Sequence, residues 1–174
     1  VGFAPSKQVY AARNPQTGQI IVRQALNIAE YDRSGAGVIV HPSGIIITNA
    51  HIVSRADKVA VVLPNKNVVS AQVVNVINDL DLALLKIDPS LSLPYVALAN
   101  SDKLALGEEI ITVGSSSLMN QTVSGGKVIG IGVNRSLQRA GQQRTDLIQT
   151  TVNLYEGDSG GPLFNRKGEL IGLM

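Results

Sequence analysis

From Ala25 onward the chain is a succession of short apolar runs separated by turn residues: "ALNIAEY", "AGVIV", "IIIT", "KVAVVL", "VVSAQVVNV" and "LALLKI". Most runs are four to nine residues long and rich in Val and Ile. At that length and composition they suit strands better than helices, because branched side chains pack well on a pleated surface and a helix needs a longer periodic stretch. After Pro89 and Pro94 a second set follows: "EEIITVG", "KVIGIGV", "DLIQTTV", "GPLF" and "ELIGLM". Two sets of about six short strands predict an all-β molecule made of two small antiparallel barrels or sandwiches. The expected division is an N-terminal arm over 1–24, a first barrel over 25–98 and a second over 99–174. The interface between two such lobes is a usual place for a cleft.

Composition narrows the chemistry. No cysteine is present, which removes disulfides, thiolate zinc sites and cysteine nucleophiles together. Aromatics make up 3% of the residues and Trp is absent, so Val, Ile, Leu and Ala must fill the core. A formal charge of +2 with scattered bases does not suit a nucleic-acid surface. No apolar run approaches the roughly 18 residues that span a bilayer, and no basic-then-apolar signal opens the sequence. A membrane connection is therefore expected only through a segment absent from it. "SGGKVIGIG" has Gln121 and Val128 where a phosphate loop needs Gly and Ser or Thr. The arginines of "NRSLQRAGQQR" lack the aromatic neighbours that stack on RNA bases.

The stretch "YEGDSGGPLF", Tyr155 to Phe164, sets Ser159 among residues that any tight turn would choose. A turn residue and a nucleophile are both open readings of Ser159 taken alone. Two histidines are present. His51 follows "IIITNA" and falls at a strand end, where packing, exposure and catalysis compete. His41, before a proline and a glycine, suits a solvated hairpin turn. With no cysteine and no histidines at helical spacing, the pair makes a poor metal site, and neither metal nor cofactor is expected. Asp81 leads into the apolar "LALLKI", so its carboxylate has to be solvated, hydrogen-bonded or paired. Asp79, nearer the polar turn, reads as exposed. Serine hydrolysis needs a base, a carboxylate to hold that base in one tautomer, and donors for the oxyanion. His51, Asp81 and Ser159 supply the first set, and the freedom of Gly157 allows its N–H and that of Ser159 to form an oxyanion hole.

Three segments carry a family resemblance: "GAGVIVHPSGIIITNAHIV", "DLDLALLKID" and "DLIQTTVNLYEGDSGGPLFNRKGELIG". In order and spacing they resemble the chymotrypsin-type serine endopeptidases, specifically the HtrA/Deg branch, over about residues 25–174. The resemblance implies two six-stranded antiparallel β-barrels with the active site between them. It implies Ser159 as nucleophile, His51 as base and then acid, Asp81 as orienting carboxylate, and Gly157 with Ser159 as oxyanion donors. Asn153, Leu154 and Tyr155 fall where the family lines its substrate pocket, and neutral Asn153 at the pocket base disfavours Lys or Arg specificity.

The loops depart from the branch. Tyr155-Glu156-Gly157-Asp158-Ser159 replaces its usual Asn-Pro-Gly-Asn-Ser, and "GSSSLMN" replaces a Gly-Asn-Pro pattern. Asp158 resembles that of the digestive enzymes, but their Ile-Val-Gly-Gly start is missing. "GSSSLMN", "QTVSGG" and "NRSLQRAGQQRTD" are expected as mobile activation loops. Ending at "ELIGLM", the sequence is expected to truncate its last strand and to carry no PDZ-like module. By resemblance the partners are unfolded or specific protein substrates, the arm with Phe3 and Tyr10 packs a homotrimer, and the location is extracytoplasmic, in the bacterial periplasm. An inert peptide-binding or assembly factor is the alternative to a protease.

Overall fold

The structure is a computed structural model that describes residues 8–13, 20–25, 34–65, 67–88, 93–117, 120–137, 142–155 and 157–174. The protein is all-β, as the short branched runs predict. A first antiparallel sheet contains β3 (Val38–His41), β4 (Ile45–Asn49), β5 (Val59–Val62), β6 (Val68–Ile77) and β7 (Leu82–Lys86), in the order β3-β4-β7-β6-β5. A second contains β8 (Glu109–Ser117), β9 (Asn120–Leu137), β10 (Gln142–Thr150), β11 (Pro162–Phe164) and β12 (Leu170–Leu173), in the order β10-β9-β8-β11-β12. Each is a curled half-barrel with five hydrogen-bonded strands among the described residues, one fewer than the six expected. The N-terminal region adds a separate ribbon, β1 (Gln8–Arg13) paired with β2 (Ile20–Ala25). "ALNIAEY" and Phe3 lie largely or wholly outside the described residues.

Alternation places the cores. In β7, Ala83 and Leu85 are buried while their neighbours are half-buried. They join Ile46, Val59, Ala71 and Ile87 inside the first sheet. Ile110, Val128, Leu163 and Ile171 form the second core. Burying one such side chain contributes about 1.5–3 kcal/mol, so these clusters set which face of each strand turns inward. The connecting segment is hydrogen-bonded to both sheets: Val96 N–H donates to Ile39 O at 3.0 Å, and Ala99 N–H to Leu170 O at 2.8 Å.

The three expected activation loops lie largely in strands: of "NRSLQRAGQQRTD", residues 134–137 belong to β9 and 142–146 to β10, with Gln142 opposite Leu137 and Arg144 opposite Arg135. The segments "GSSSLMN" and "QTVSGG" belong largely to the β8–β9 ladder, with Gly114 opposite Thr122 and Ser117 opposite Asn120. Their Ser, Thr and Val residues pair readily as strands once the ladder is seeded further down, although they offer little apolar surface of their own. His41 ends β3, and its Nδ1 lies 2.8 Å from Ser43 Oγ in an exposed hairpin turn.

Arg166, in the turn between β11 and β12, donates from Nε to Glu109 Oε2 at 3.0 Å. This hydrogen bond, reinforced by the guanidinium charge, holds the Glu109 carboxyl below its ordinary range. Because the folded value is lowered, the pair's contribution is present above the unfolded carboxylate range and is lost as pH falls through the lower folded value. Arg166→Gln is expected to raise the Glu109 titration midpoint, as read by NMR. An unchanged midpoint would show that the pair does not form in solution.

Candidate active site

The register of one strand pair assembles half of the site. In the β4–β7 ladder Thr48 lies opposite Ala83 and Asn49 opposite Leu82, so the end of β4 and the start of β7 share one rim. Immediately after β4 the chain makes one helical turn, α1 (Ala50–Val53). Ala50, Ile52 and Val53 are buried in this turn, and His51 alone faces outward with 53% of its side chain exposed. Apolar anchoring of its neighbours thus fixes which way the imidazole points.

Asp81 enters the same rim from a 3-10 turn, Asn78–Leu80, and adopts a left-handed conformation at φ 54°. Aspartate is among the few residues other than glycine that tolerate this region. β7 therefore begins at Leu82, where the apolar run "LALLKI" begins. The turn brings all three Asp81 oxygens to Asn49–His51. The main-chain O accepts from Ala50 N–H at 2.9 Å and Asn49 Nδ2 at 3.1 Å. Oδ1 accepts from His51 N–H at 2.9 Å, and Oδ2 lies 2.8 Å from His51 Nδ1. The Asp81 side chain is 10% exposed, so these donors replace the water it gives up. A carboxylate at Nδ1 places the imidazole proton there and leaves the lone pair on Nε2. Asp79 is exposed within the 3-10 turn, as its polar surroundings predict.

The second sheet supplies the segment between β10 and β11. Asn153, Leu154 and Tyr155 are exposed in a stretch without regular secondary structure. A tight turn follows: Asp158 N–H donates to Tyr155 O at 3.1 Å, and Tyr155 N–H donates to Asp158 Oδ2 at 2.8 Å. This reciprocal pair encloses Gly157, whose φ of 97° suits glycine alone. Glu156 lies outside the described residues. Asp158 is 4% exposed, and its Oδ1 has no hydrogen-bond partner among the described residues. Leaving that oxygen unsatisfied costs about 1–3 kcal/mol or more, a penalty the surrounding loop has to offset. Among the described residues no acceptor takes the N–H of Gly157 or of Ser159.

Ser159 is joined to the first sheet through its main chain. Its carbonyl accepts the Ala36 N–H at 2.8 Å, and the Ala36 carbonyl accepts the Thr48 hydroxyl at 2.7 Å. A Cβ on Gly35 would stand 2.4 Å from Ile52 Cδ1 and 2.9 Å from Ser159 O, so Gly35 packs closely against both the serine carbonyl and the residue after His51. On the other side Gly160 N–H donates to Met174 O, and Met174 N–H to Gly161 O, both at 3.0 Å. The structure therefore brings His51 and Asp81 into contact and ties the Ser159 backbone to the strand and turn that carry His51. Sequence reading singled out neither Thr48 nor Ala36. A threonine in an apolar strand and an alanine between glycines carry no chemical signal until their partners are known.

The model of the trypsin-like peptidase domain matches residues 35–173. Serine protease HTR4 of Rattus norvegicus is 38% identical over 146 residues, covering 80% of this chain and 29% of that protein. The putative serine protease HhoA of Synechocystis is 41% identical over 142 residues, covering 80% and 36%. A probable periplasmic serine endoprotease, DegP-like, of Pseudomonas fulva is 38% identical over 139 residues, covering 80% and 28%. The chain thus spans about a third of the length of the curated relatives it matches. With two curled antiparallel sheets and a match over nearly all of both, the chain belongs to the trypsin-like peptidase domain family, and the relatives it matches carry serine protease and DegP-like endoprotease names.

Proposed function

We propose that this chain is a serine endopeptidase domain acting on protein substrates, with Ser159 as nucleophile, His51 as general base and then acid, and Asp81 as the orienting carboxylate. The observation that carries the reading is the double contact of Asp81 with His51, at the main-chain N–H and at Nδ1. A surface ion pair has no need to hold both backbone and ring; a base that must keep one tautomer and one orientation does. Ser159 Oγ attacks the scissile carbonyl carbon and its proton passes to His51 Nε2. The oxyanion forms against the N–H groups of Gly157 and Ser159. The departing amine takes the proton back from His51, and water then hydrolyses the acyl-enzyme by the same route.

On this reading residues 25–98 supply the base and carboxylate, and 99–174 the nucleophile, the oxyanion donors and the pocket residues Asn153, Leu154 and Tyr155. The turn closed by Tyr155 and Asp158 is the element whose rearrangement would switch the oxyanion hole. The names of periplasmic relatives support an extracytoplasmic location, and homotrimer packing through the N-terminal arm belongs to the same proposal.

The test is a serine-directed phosphonate. The expected result is one covalent adduct, mapped to Ser159, that is absent from Ser159→Ala. A folded protein that binds unfolded polypeptide but takes no label would be an inert binding factor instead.

A further inference from the structure

The nucleophile and the base come from different sheets, so something must set their separation. We propose that Thr48 is a positioning residue for the reaction: its hydroxyl, through the Ala36 peptide, clips the Ser159 segment to the strand that carries His51. The proposal rests on the peptidase reading above.

Thr48 points inward from β4 next to Ile46 and is 3% exposed. In a strand whose other inward residue is apolar, a buried hydroxyl has to find an acceptor. It donates to Ala36 O at 2.7 Å, and the other side of the Ala36 residue donates its N–H to Ser159 O at 2.8 Å. Residues 35–37 therefore form a short bridge with one end on β4 and the other on the nucleophile. The bridge is tight at both ends. A Cβ on Gly37 would stand 3.0 Å from Ile46 Cγ2 and 3.6 Å from Thr48 Cβ. A Cβ on Gly160, the residue after the nucleophile, would stand 2.2 Å from Ala36 O and 2.5 Å from Thr48 Oγ1. Gly160 also has φ 81°. The backbone on both sides of the Ser159 carbonyl thus rests against the Thr48–Ala36 contact.

Thr48 is three residues before His51 on one continuous strand and turn. Both reacting side chains are thereby referred to the same point of β4. That matters because proton transfer requires Oγ and Nε2 within about 3 Å, and a misplacement of about 1 Å can cost a hundredfold in rate. Without the hydroxyl, the Ala36 carbonyl loses a buried donor, the bridge relaxes, and the serine segment drifts relative to the imidazole. The effect falls on the chemical step, since Thr48 lies under the site rather than at the substrate.

The experiment compares Thr48→Val, Thr48→Ser and the parent protein by kcat and KM per titrated active site, together with hydrogen exchange of the Ala36 amide. Thr48→Val keeps the branched shape and removes the hydroxyl. It is expected to lower kcat by about 10- to 100-fold with KM unchanged, and to speed Ala36 exchange at least about tenfold; Thr48→Ser restores both. Thr48→Ala, which adds no bulk, gives the same pattern where the Val variant does not fold. An unchanged kcat per titrated site, unchanged Ala36 protection, or failure of Ser to restore either one overturns the proposal. A parent protein that neither hydrolyses peptides nor takes the phosphonate overturns the peptidase reading instead, and the Ala36 exchange still decides whether Thr48 holds the bridge.

Discussion

Ser159→Ala and His51→Ala are each expected to lower kcat/KM for peptide hydrolysis by about four to six orders of magnitude, and the double variant to be little worse than either. The hydroxyl is a weak nucleophile until a base takes its proton, and the base has nothing to act on once the hydroxyl is gone. The two losses therefore remove one step rather than two. The contacts that hold the loop are main-chain bonds of residues 155, 158, 159, 160 and 161 together with the Tyr155 N–H to Asp158 carboxylate bond. Removing the Ser159 hydroxyl leaves every one of them in place. His51 is the outward-facing member of α1, whose buried members anchor the turn. Ser159→Ala should accordingly fold and melt close to the parent protein, while His51→Ala should fold but melt lower, because the buried Asp81 carboxylate loses its Nδ1 partner. Kinetics of the two single variants and the double, with melting curves alongside, test this. Residual hydrolysis of more than a few per cent in either single variant would remove that residue from the chemistry, and additive losses would separate the two roles.

The second large effect is expected from Asp81→Asn, a loss of about 10⁴ in kcat, against a change of no more than a few-fold for Asp79→Asn. Asparagine tolerates the left-handed backbone that Asp81 adopts, and its side-chain oxygen can still accept the His51 N–H. What changes is the atom facing Nδ1. An amide NH₂ there requires Nδ1 to be an acceptor, which moves the ring proton to Nε2 and leaves no lone pair for the serine. The substitution thus isolates the tautomer from the fold. Asp79 is exposed in the preceding 3-10 turn. Equal losses at the two positions, or a damaging Asp79 change with Asp81 tolerated, would overturn the assignment of the carboxylate.

Much of the site was legible because its chemistry is local. A serine among glycines, a histidine at the end of a strand and an aspartate at the mouth of another each stand out by residue type, and their order matches a known pattern. The sequence did not reveal that Asp81 sits in a left-handed turn, that Asp158 closes the nucleophile loop onto Tyr155, or that Thr48 has a role. Each depends on a partner whose distance along the chain carries no periodic signal. The polar segments after Val113 misled for a related reason. Low apolar content suggests a loop, yet a polar strand can be recruited by the ladder beside it, as residues 114–117 and 120–126 are in β8 and β9.

The sequence by itself determined the strand class, through short branched runs and turn residues whose preferences operate over a few residues, and it determined which side chains could carry the chemistry. Tertiary structure alone decided where those side chains meet. The β4–β7 register puts Asn49 opposite Leu82, and a slip of one residue would turn Ile46, Ala83 and Leu85 out of the core and separate His51 from Asp81. The approach of Ser159 to that rim was decided by the close passage of residues 35–37 between the two sheets, where only Gly35 and Gly160 leave room for the backbones to touch. Both choices are made by burial and by hydrogen bonds between residues far apart in the chain, energies that exist only once the two sheets have formed and closed on each other.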